Sequence, residues 1–218
     1  MGFKVIIVGA SGLIGGYLLS KLISSDDISE IKLLVRNKIG IVNPKVEEVV
    51  INFDEINKYA STITGDIIFC CIGTTKSKTP DASNYRKIDL EYPLNIAKIG
   101  VKNGINQFHI ISSLGASFES NNAYLKLKGE LENELKKLNI QSLHIYQPSF
   151  LEGKRKESRP LEKIMLPIMK LLNPLLLGPL ENYRSIKASD VAKAMINQSR
   201  KELKGVFTYP SKQIKELA

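Results

Sequence analysis

A tyrosine followed four residues later by a lysine puts a phenol and an ammonium on one helix face, a pairing suited to acid/base work on a carbonyl or hydroxyl. A free phenol ionises near pH 10. Bringing that to neutrality takes roughly 4 kcal/mol, about what one ammonium ~4 Å away supplies near a protein surface. The spacing occurs three times, at Tyr17/Lys21, Tyr124/Lys128 and Tyr183/Lys187. Tyr17/Lys21 falls on the far half of the first predicted helix, and Tyr183/Lys187 in an irregular region. Only Tyr124/Lys128 opens a predicted helix directly after a predicted strand, with Ser112 and Ser113 at that strand's end to orient a substrate oxygen. The plainer reading is a surface tyrosine on a Lys/Glu-rich helix, since Lys126, Glu130 and Glu132 surround it.

Other reactive side chains offer less. Cys70 and Cys71 are adjacent in an apolar run, a poor arrangement for a disulfide or a metal, and read as buried strand residues of a reducing compartment. A thiol nucleophile there has no base nearby in sequence. His109 and His144 lie inside predicted strands and read as satisfied core histidines. No group of His, Cys and carboxylate has metal-ligand spacing.

The elements that must position the pair start at the beginning of the chain. Gly9-Ala10-Ser11-Gly12-Leu13-Ile14-Gly15 follows the apolar run Phe3 to Val8 and opens a segment with apolar Ile14, Leu18 and Leu22 at helical spacing. Strand, glycine turn and helix in that order can seat a diphosphate. One glycine permits a positive φ, one lets the ligand approach the backbone, and one lets helix and strand pack closely. The helix start adds free N–H groups and roughly half a positive charge.

Strand and helix alternate from there. Predicted strands lie at 31–35, 46–53 (ending at Asp54), 66–72, 107–112 and 141–146, and helices at 89–102, with Pro93 near its first turn, and 123–138. This alternation predicts parallel strands with right-handed crossovers, a doubly wound α/β sheet of the Rossmann type in one domain spanning 1–218. Beyond 150, an apolar, Pro-rich tract at 159–180, a capped helix at 189–199 and a short strand at 206–209 are expected to form substrate-side elements over the sheet's ligand edge. A helical cover or a subunit contact in a homodimer is the alternative for that tract.

The 218 residues carry a formal charge of +9, but the lysines are interspersed with acids, and only Lys154, Arg155, Lys156 and Arg159 cluster. Without interleaved aromatics this argues against nucleic acid as partner. No signal peptide is evident, and Lys170 and three prolines interrupt the longest apolar tract, so no membrane span and a cytoplasmic location are expected.

The second predicted strand ends Leu34-Val35-Arg36-Asn37-Lys38, without the carboxylate that would accept the adenosine ribose of NAD. A guanidinium there can pair with a 2′-phosphate, so Arg36 predicts NADP(H) over NAD(H), with Ser11 a second candidate contact. Gly73, Thr74 and Thr75 follow the central strand and are expected to line the ribose and diphosphate, and Asp54 to meet the adenine amino group.

Taken together, the glycine turn, Val35-Arg36, Gly73-Thr74-Thr75, Tyr85-Arg86-Lys87-Ile88-Asp89, Ile111-Ser112-Ser113-Leu114-Gly115-Ala116, Tyr124 with Lys128-Gly129-Glu130, Pro148-Ser149 and Glu157-Ser158-Arg159-Pro160 resemble the short-chain dehydrogenase/reductases. The resemblance is to their atypical branch, and within it to the group of the mammalian Tat-interacting oxidoreductase and its bacterial relatives. It implies NADP(H) binding, a substrate oxygen oriented by Ser112 or Ser113, and proton transfer by Tyr124. Lys128 would assist the phenol and hold the nicotinamide ribose, and the Pro148-Ser149 backbone would flank the nicotinamide. It also places Asn95 near a position where relatives order a relay water. The first glycine spacing and the short gap from Ser113 to Tyr124 depart from the best-known members. The expected activity is hydride transfer between nicotinamide and a carbonyl or secondary alcohol of a small-molecule substrate, which the leucine-rich tract at 159–180 suggests is apolar or bulky. The alternatives are a dinucleotide-binding regulatory or redox-sensing protein with little or no catalysis, and an isomerase or epimerase with tightly held cofactor.

Overall fold

The computed structural model describes residues 2–75, 79–153 and 173–218. Among these, seven strands form one parallel sheet in the order β3-β2-β1-β4-β5-β6-β9. They are β1 (Phe3–Val8), β2 (Ile28–Val35), β3 (Val46–Val50), β4 (Ile67–Cys70), β5 (Gln107–Ile111), β6 (Ser142–Gln147) and β9 (Gly205–Pro210). A two-strand ribbon, β7 (Leu151–Glu152) with β8 (Ile186–Lys187), stands apart. The order reverses between β1 and β4, so the crevice beyond their carboxyl ends is the place where such sheets bind ligands.

Side chains of each central strand divide between two apolar layers, because successive residues point to opposite faces. Val5 and Ile7 join one layer with Leu18 and Leu22 of α1 (Leu13–Ile23) and with Val191 and Met195 of α5 (Ala188–Ser199). Ile6 and Val8 join the other, with Ile96 of α3 (Tyr92–Lys102) and with Leu131 and Leu135 of α4 (Ala123–Lys136). Burial on both faces explains why β1 from Val5 onward and β4 read as unbroken apolar runs.

Several expected boundaries move. The third strand stops at Val50. The Asn52 side chain accepts the N–H of Asp54 and turns the chain into the 3₁₀ segment Phe53–Thr62, so Asp54 sits in a helical turn. The helix expected from Asp89 begins earlier, as α2 (Ala82–Arg86), and runs through a π turn (Lys87–Glu91) into α3. In that turn the Tyr92 N–H reaches the Lys87 carbonyl, five residues back. Pro93, which has no N–H, follows at once, at a junction inside the helix instead of at a free start.

The helix at 188–199 has no side-chain cap. It packs beside α1, and β9 extends the main sheet next to β6. Residues 188–218, with the terminal α6 (Ser211–Glu216), thus complete the sheet and one of its layers instead of covering its ligand edge. The reason is long-range pairing, Ser142 with Gly205 through Gln147 with Pro210. The Lys154, Arg155, Lys156 and Arg159 cluster, Glu157-Ser158-Arg159-Pro160 and most of the 159–180 tract lie outside the described residues. No helix of the described residues is long and apolar enough to cross a membrane.

Both histidines are fully buried in the sheet. Phe69, His109, His144 and Phe207 are register partners on β4, β5, β6 and β9 and form a cross-strand ladder, the two imidazoles stacking 4.2 Å apart. Gln107 Nε2 donates to the Ser199 carbonyl, so its Oε1 accepts from His109 Nε2, and His109 Nδ1 is left to accept from the Tyr146 hydroxyl. Ser142 and Tyr209 partner His144.

Candidate active site

The glycine turn has the geometry its spacing implies. Gly9 has φ +88°, and a Cβ on it would lie 2.8 Å from the Cys71 carbonyl oxygen. A Cβ on Gly15 would lie 2.2 Å from the Gly9 carbonyl oxygen, so α1 approaches the end of β1 more closely than any side chain permits. The Gly12 N–H closes the turn onto the Gly9 carbonyl at 3.0 Å. The first turn of α1 carries neither an acidic side chain nor a side-chain cap, so its N–H groups face the crevice, with Ser11 exposed beside them. Ala10 and Ile14 are buried beneath, and Leu13 packs under Gly153 of the segment that follows β7. The cradle fits a diphosphate.

Arg36 leaves the end of β2 exposed and makes no ion pair among the described residues. It lines a cleft of about 520 Å³ with Phe53, Asp54, Asn84, Ile88 and Tyr92. Asp54 Oδ1 accepts from Lys87 Nζ and from the Tyr92 hydroxyl, each at 3.0 Å. The Lys87 bond, then that of Tyr92, holds the Asp54 carboxyl below its usual range. Oδ2 has no partner among the described residues and remains available to a ligand.

Gly73, Thr74 and Thr75 follow β4 over a buried ion pair. Lys128 Nζ lies 2.8 Å from Asp89 Oδ1, with both side chains at most 4% exposed. The other Asp89 oxygen accepts the Thr74 N–H at 2.8 Å. A Cβ on Gly73 would lie 3.3 Å from Asp89 Oδ1 and 3.9 Å from Lys128 Nζ. Burial is the largest single influence and works to lower the Lys128 ammonium, but the Asp89 carboxylate, with smaller help from Tyr124 and Cys70, makes the net displacement upward. Lys128 is a full cation beneath the loop.

Tyr124 stands one turn before it, 37% exposed, at the start of α4. Asn122 caps that helix, its side chain accepting the N–H groups of Tyr124 and Leu125. The other two Tyr/Lys pairs do not form such a site. Tyr17 packs against the apolar layer behind the sheet, and Tyr183 and Lys187 belong to a 3₁₀ turn (Gly178–Tyr183) and to β8, so no common helix face joins them.

The two serines separate. Ser112 is buried and donates to Glu132 Oε1 at 2.5 Å, while Gln147, at the end of β6, donates to both oxygens of the same carboxylate. Ser113, the next residue along, is half-buried, and its carbonyl accepts the Ala116 N–H in the loop leading to Tyr124. The Pro148 carbonyl accepts the Leu114 N–H, tying the end of β6 to that loop. The Ser149 hydroxyl is turned to the Arg184 carbonyl and to Ser211.

Asp89, Glu132 and Asn122 have roles here beyond those their spacing announced. Asp89 had a signal, since 89, 93, 96, 97 and 100 mark one buried stripe and a carboxylate on such a stripe needs a partner. Glu132 had none, since at i+4 from Lys128 it would be read as that lysine's partner, whereas it meets Ser112 and Gln147. Asn95 is half-buried and makes no hydrogen bond among the described residues. Burial pushes the Cys70 thiol up to about 12 and Cys71 well above its ordinary value, so neither is a thiolate at neutral pH. Among the described residues no three His, Cys, Asp or Glu side chains are grouped to hold a metal ion.

Sheet order, glycine cradle and a Tyr/Lys pair at the switch-point edge define a dinucleotide-binding Rossmann protein of the dehydrogenase/reductase type. No protein-family model matches the chain. The rat (Rattus norvegicus) protein HTATIP2 is 34% identical over 161 residues, which are 72% of this chain and 66% of that protein. The Candida albicans protein named "FMP52, mitochondrial" is 32% identical over 205 residues, 91% of this chain and 89% of its own. The chain belongs to the family of HTATIP2 and FMP52, atypical short-chain dehydrogenase/reductases built on the NAD(P)-binding Rossmann fold. Among solved structures, the fold is shared with the oxidoreductase ylbE of Lactococcus lactis (TM-score 0.68, 18% identity, 98% of this chain and 95% of that one). It is also shared with the Bordetella bronchiseptica enzyme WbmG in complex with NAD (TM-score 0.71, 14% identity, 99% and 76%).

Proposed function

We propose that the protein is an NADP(H)-dependent oxidoreductase acting on a carbonyl or secondary alcohol, with Tyr124 as general acid/base. The observation that carries this is the stack at the sheet's ligand edge, an accessible phenol one helical turn from a buried, fully charged Lys128 beneath the Gly73–Thr75 loop. Gly9, Gly12 and Gly15 with the first turn of α1 would hold the diphosphate, Arg36 the 2′-phosphate, and Lys128 the nicotinamide ribose. The bound nicotinamide would supply or accept the hydride. Tyr124 gives its phenolic proton to the substrate oxygen in reduction and takes it back in oxidation. Lys128 favours the phenolate by its charge, and Ser113 orients the substrate oxygen from the end of β5.

The test is NADPH oxidation against a panel of aldehydes and ketones, with Tyr124→Phe as control. Removing a positioned acid/base is expected to slow turnover about 10²- to 10⁴-fold while NADPH still binds. NADPH binding with no turnover in the panel, unaffected by the substitution, would refute the catalytic reading in favour of a regulatory or redox-sensing role.

A further inference from the structure

We propose that Asp89 is a positioning residue, which holds Lys128 and the Gly73–Thr75 turn in register for the nicotinamide half of the dinucleotide. The inference rests on the dinucleotide-binding reading above. Asp89 is 1% exposed, and its two oxygens serve two different elements, Lys128 Nζ of α4 on Oδ1 and the Thr74 N–H after β4 on Oδ2, each at 2.8 Å. Both partners are donors, so the site needs an acceptor on each side, and only a carboxylate supplies two. An asparagine would present its NH₂ group to one of them.

The backbone is shaped for this contact. The π turn puts Asp89 and Leu90 on the buried side of a helix that is otherwise exposed at Arg86 and half-exposed at Lys87, Ile88 and Glu91. Such turns recur at functional positions inside helices. Arg86, three residues earlier, grips Glu130 of α4 with two hydrogen bonds, so the same stretch meets α4 at Lys128 and again two residues further on. The ammonium has three protons, of which Asp89 takes one. Its nitrogen lies close under Gly73, where an added Cβ would be 3.9 Å away, so the remaining protons are next to the crevice. Stability alone does not account for the pair, because a buried ion pair can commonly be replaced by apolar residues without loss.

The experiment separates the two halves of the dinucleotide. NADPH and adenosine 2′,5′-bisphosphate, which carries the adenine half alone, are titrated against the wild type, Asp89→Asn, Lys128→Met and the double variant. Losing one charge-assisted hydrogen bond is expected to weaken NADPH by about tenfold in Asp89→Asn. The bisphosphate should bind within about twofold of wild type, because its sites lie at α1 and Arg36, and independent sites do not couple. The double variant should bind NADPH no more weakly than Lys128→Met, because the asparagine oxygen can still accept the Thr74 N–H and the bond that is lost runs to the lysine. It also keeps the proposal testable if the unpaired ammonium unfolds Asp89→Asn. Equal losses for both ligands, no loss for either, or losses that multiply in the double variant would overturn the role of Asp89. A wild type that binds neither ligand would instead overturn the dinucleotide-binding reading, and this inference with it.

Discussion

The close approach of α1 to β1 is the feature most open to a quantitative test, because two neighbouring glycines in one helix should respond with opposite signs. In Gly15→Ala the new Cβ would meet Gly9 O at 2.2 Å, Gly9 C at 2.8 Å and Ala10 Cα at 3.0 Å. All three are backbone atoms of a turn fixed by the positive φ of Gly9 and by the Gly12 to Gly9 hydrogen bond, so no side chain can rotate out of the way. Carbon and carbonyl oxygen settle at about 3.3 Å, so strand and helix must part by about 1 Å. Overpacking of this kind costs typically 1–3 kcal/mol, and the better helix propensity of alanine returns up to about 1. A net loss of about 1–2 kcal/mol is expected, which lowers Tm by about 2–8 °C in a chain of this size.

Gly16→Ala is the matched control. Its Cβ would lie 3.6 Å from the Ala10 carbonyl oxygen, an ordinary contact, so only the propensity gain remains and Tm should hold or rise by about 2–4 °C. Nucleotide binding should divide the same way. A shift of about 1 Å at the phosphate cradle, which breaks a hydrogen bond to the charged diphosphate, is expected to cost Gly15→Ala about ten- to a hundredfold in NADPH affinity and Gly16→Ala nothing measurable. Thermal unfolding and a fluorescence titration on the two variants suffice. A Gly15→Ala protein with wild-type Tm and affinity, or a Gly16→Ala protein damaged as severely, would refute the packing argument.

Arg36→Glu should weaken NADPH by at least tenfold more than NADH in a parallel titration, since it puts a carboxylate where a phosphate is expected and each tenfold is about 1.4 kcal/mol; equal effects would remove Arg36 from cofactor choice. Ser112→Ala should cost about 1–3 kcal/mol in urea unfolding, because the buried Glu132 carboxylate loses a donor, whereas Ser113→Ala should lower turnover at nearly unchanged stability; the reverse pattern would exchange the two roles. Burial lowers His144 from its ordinary 6.5 to about 4. The unfolded chain therefore binds more protons in that window, so stability is full above pH 6.5 and falls as pH drops through 4, by about 3 kcal/mol at most. His144→Phe should flatten that fall, measured by urea unfolding at pH 7 and at pH 4.5.

Much of the fold was legible because parallel strands covered on both faces must be apolar throughout. The runs at 3–8 and 67–70 could hardly be anything else, and the glycine turn identifies the ligand edge from seven residues. What escaped was set by contacts distant in sequence. The short strand expected at 206–209 does form, as Gly205 to Pro210, but nothing local marks its partner, and it joins the main sheet as the seventh strand by pairing with β6. The helix start at Ala82 was hidden because the stretch from Lys76 to Arg86 is polar, and Asp89 resembled a first-turn acid. It is the buried centre of a π turn, and only the Lys128 ammonium explains its presence there. Glu132 misled for a similar reason, since a Lys/Glu-rich helix reads as solvated until the ends of β5 and β6 bring Ser112 and Gln147 to it.

These corrections change how the Tyr124/Lys128 spacing is to be understood. Spacing alone places two side chains on one face, as it does at Tyr17/Lys21, and confers no chemistry. At α4 the same face continues to Glu132, and its two turns engage different elements, Lys128 the π turn and Glu132 the ends of two strands, while the adjoining face packs at Gly129 against the loop at Ser117–Phe118, where a Cβ would lie 2.2 Å from backbone. A helix held on two faces and at two successive turns by buried, charge-assisted or backbone contacts cannot slide or rotate without breaking several at once. The phenol at its free end is therefore fixed by the helix beneath it, which is how an exposed side chain can keep the geometry that proton transfer requires. The other two Tyr/Lys pairs have no such support. In this chain, then, the buried partners of Lys128 and Glu132 set Tyr124/Lys128 apart as the pair proposed for proton transfer, and the i, i+4 pattern only nominates it.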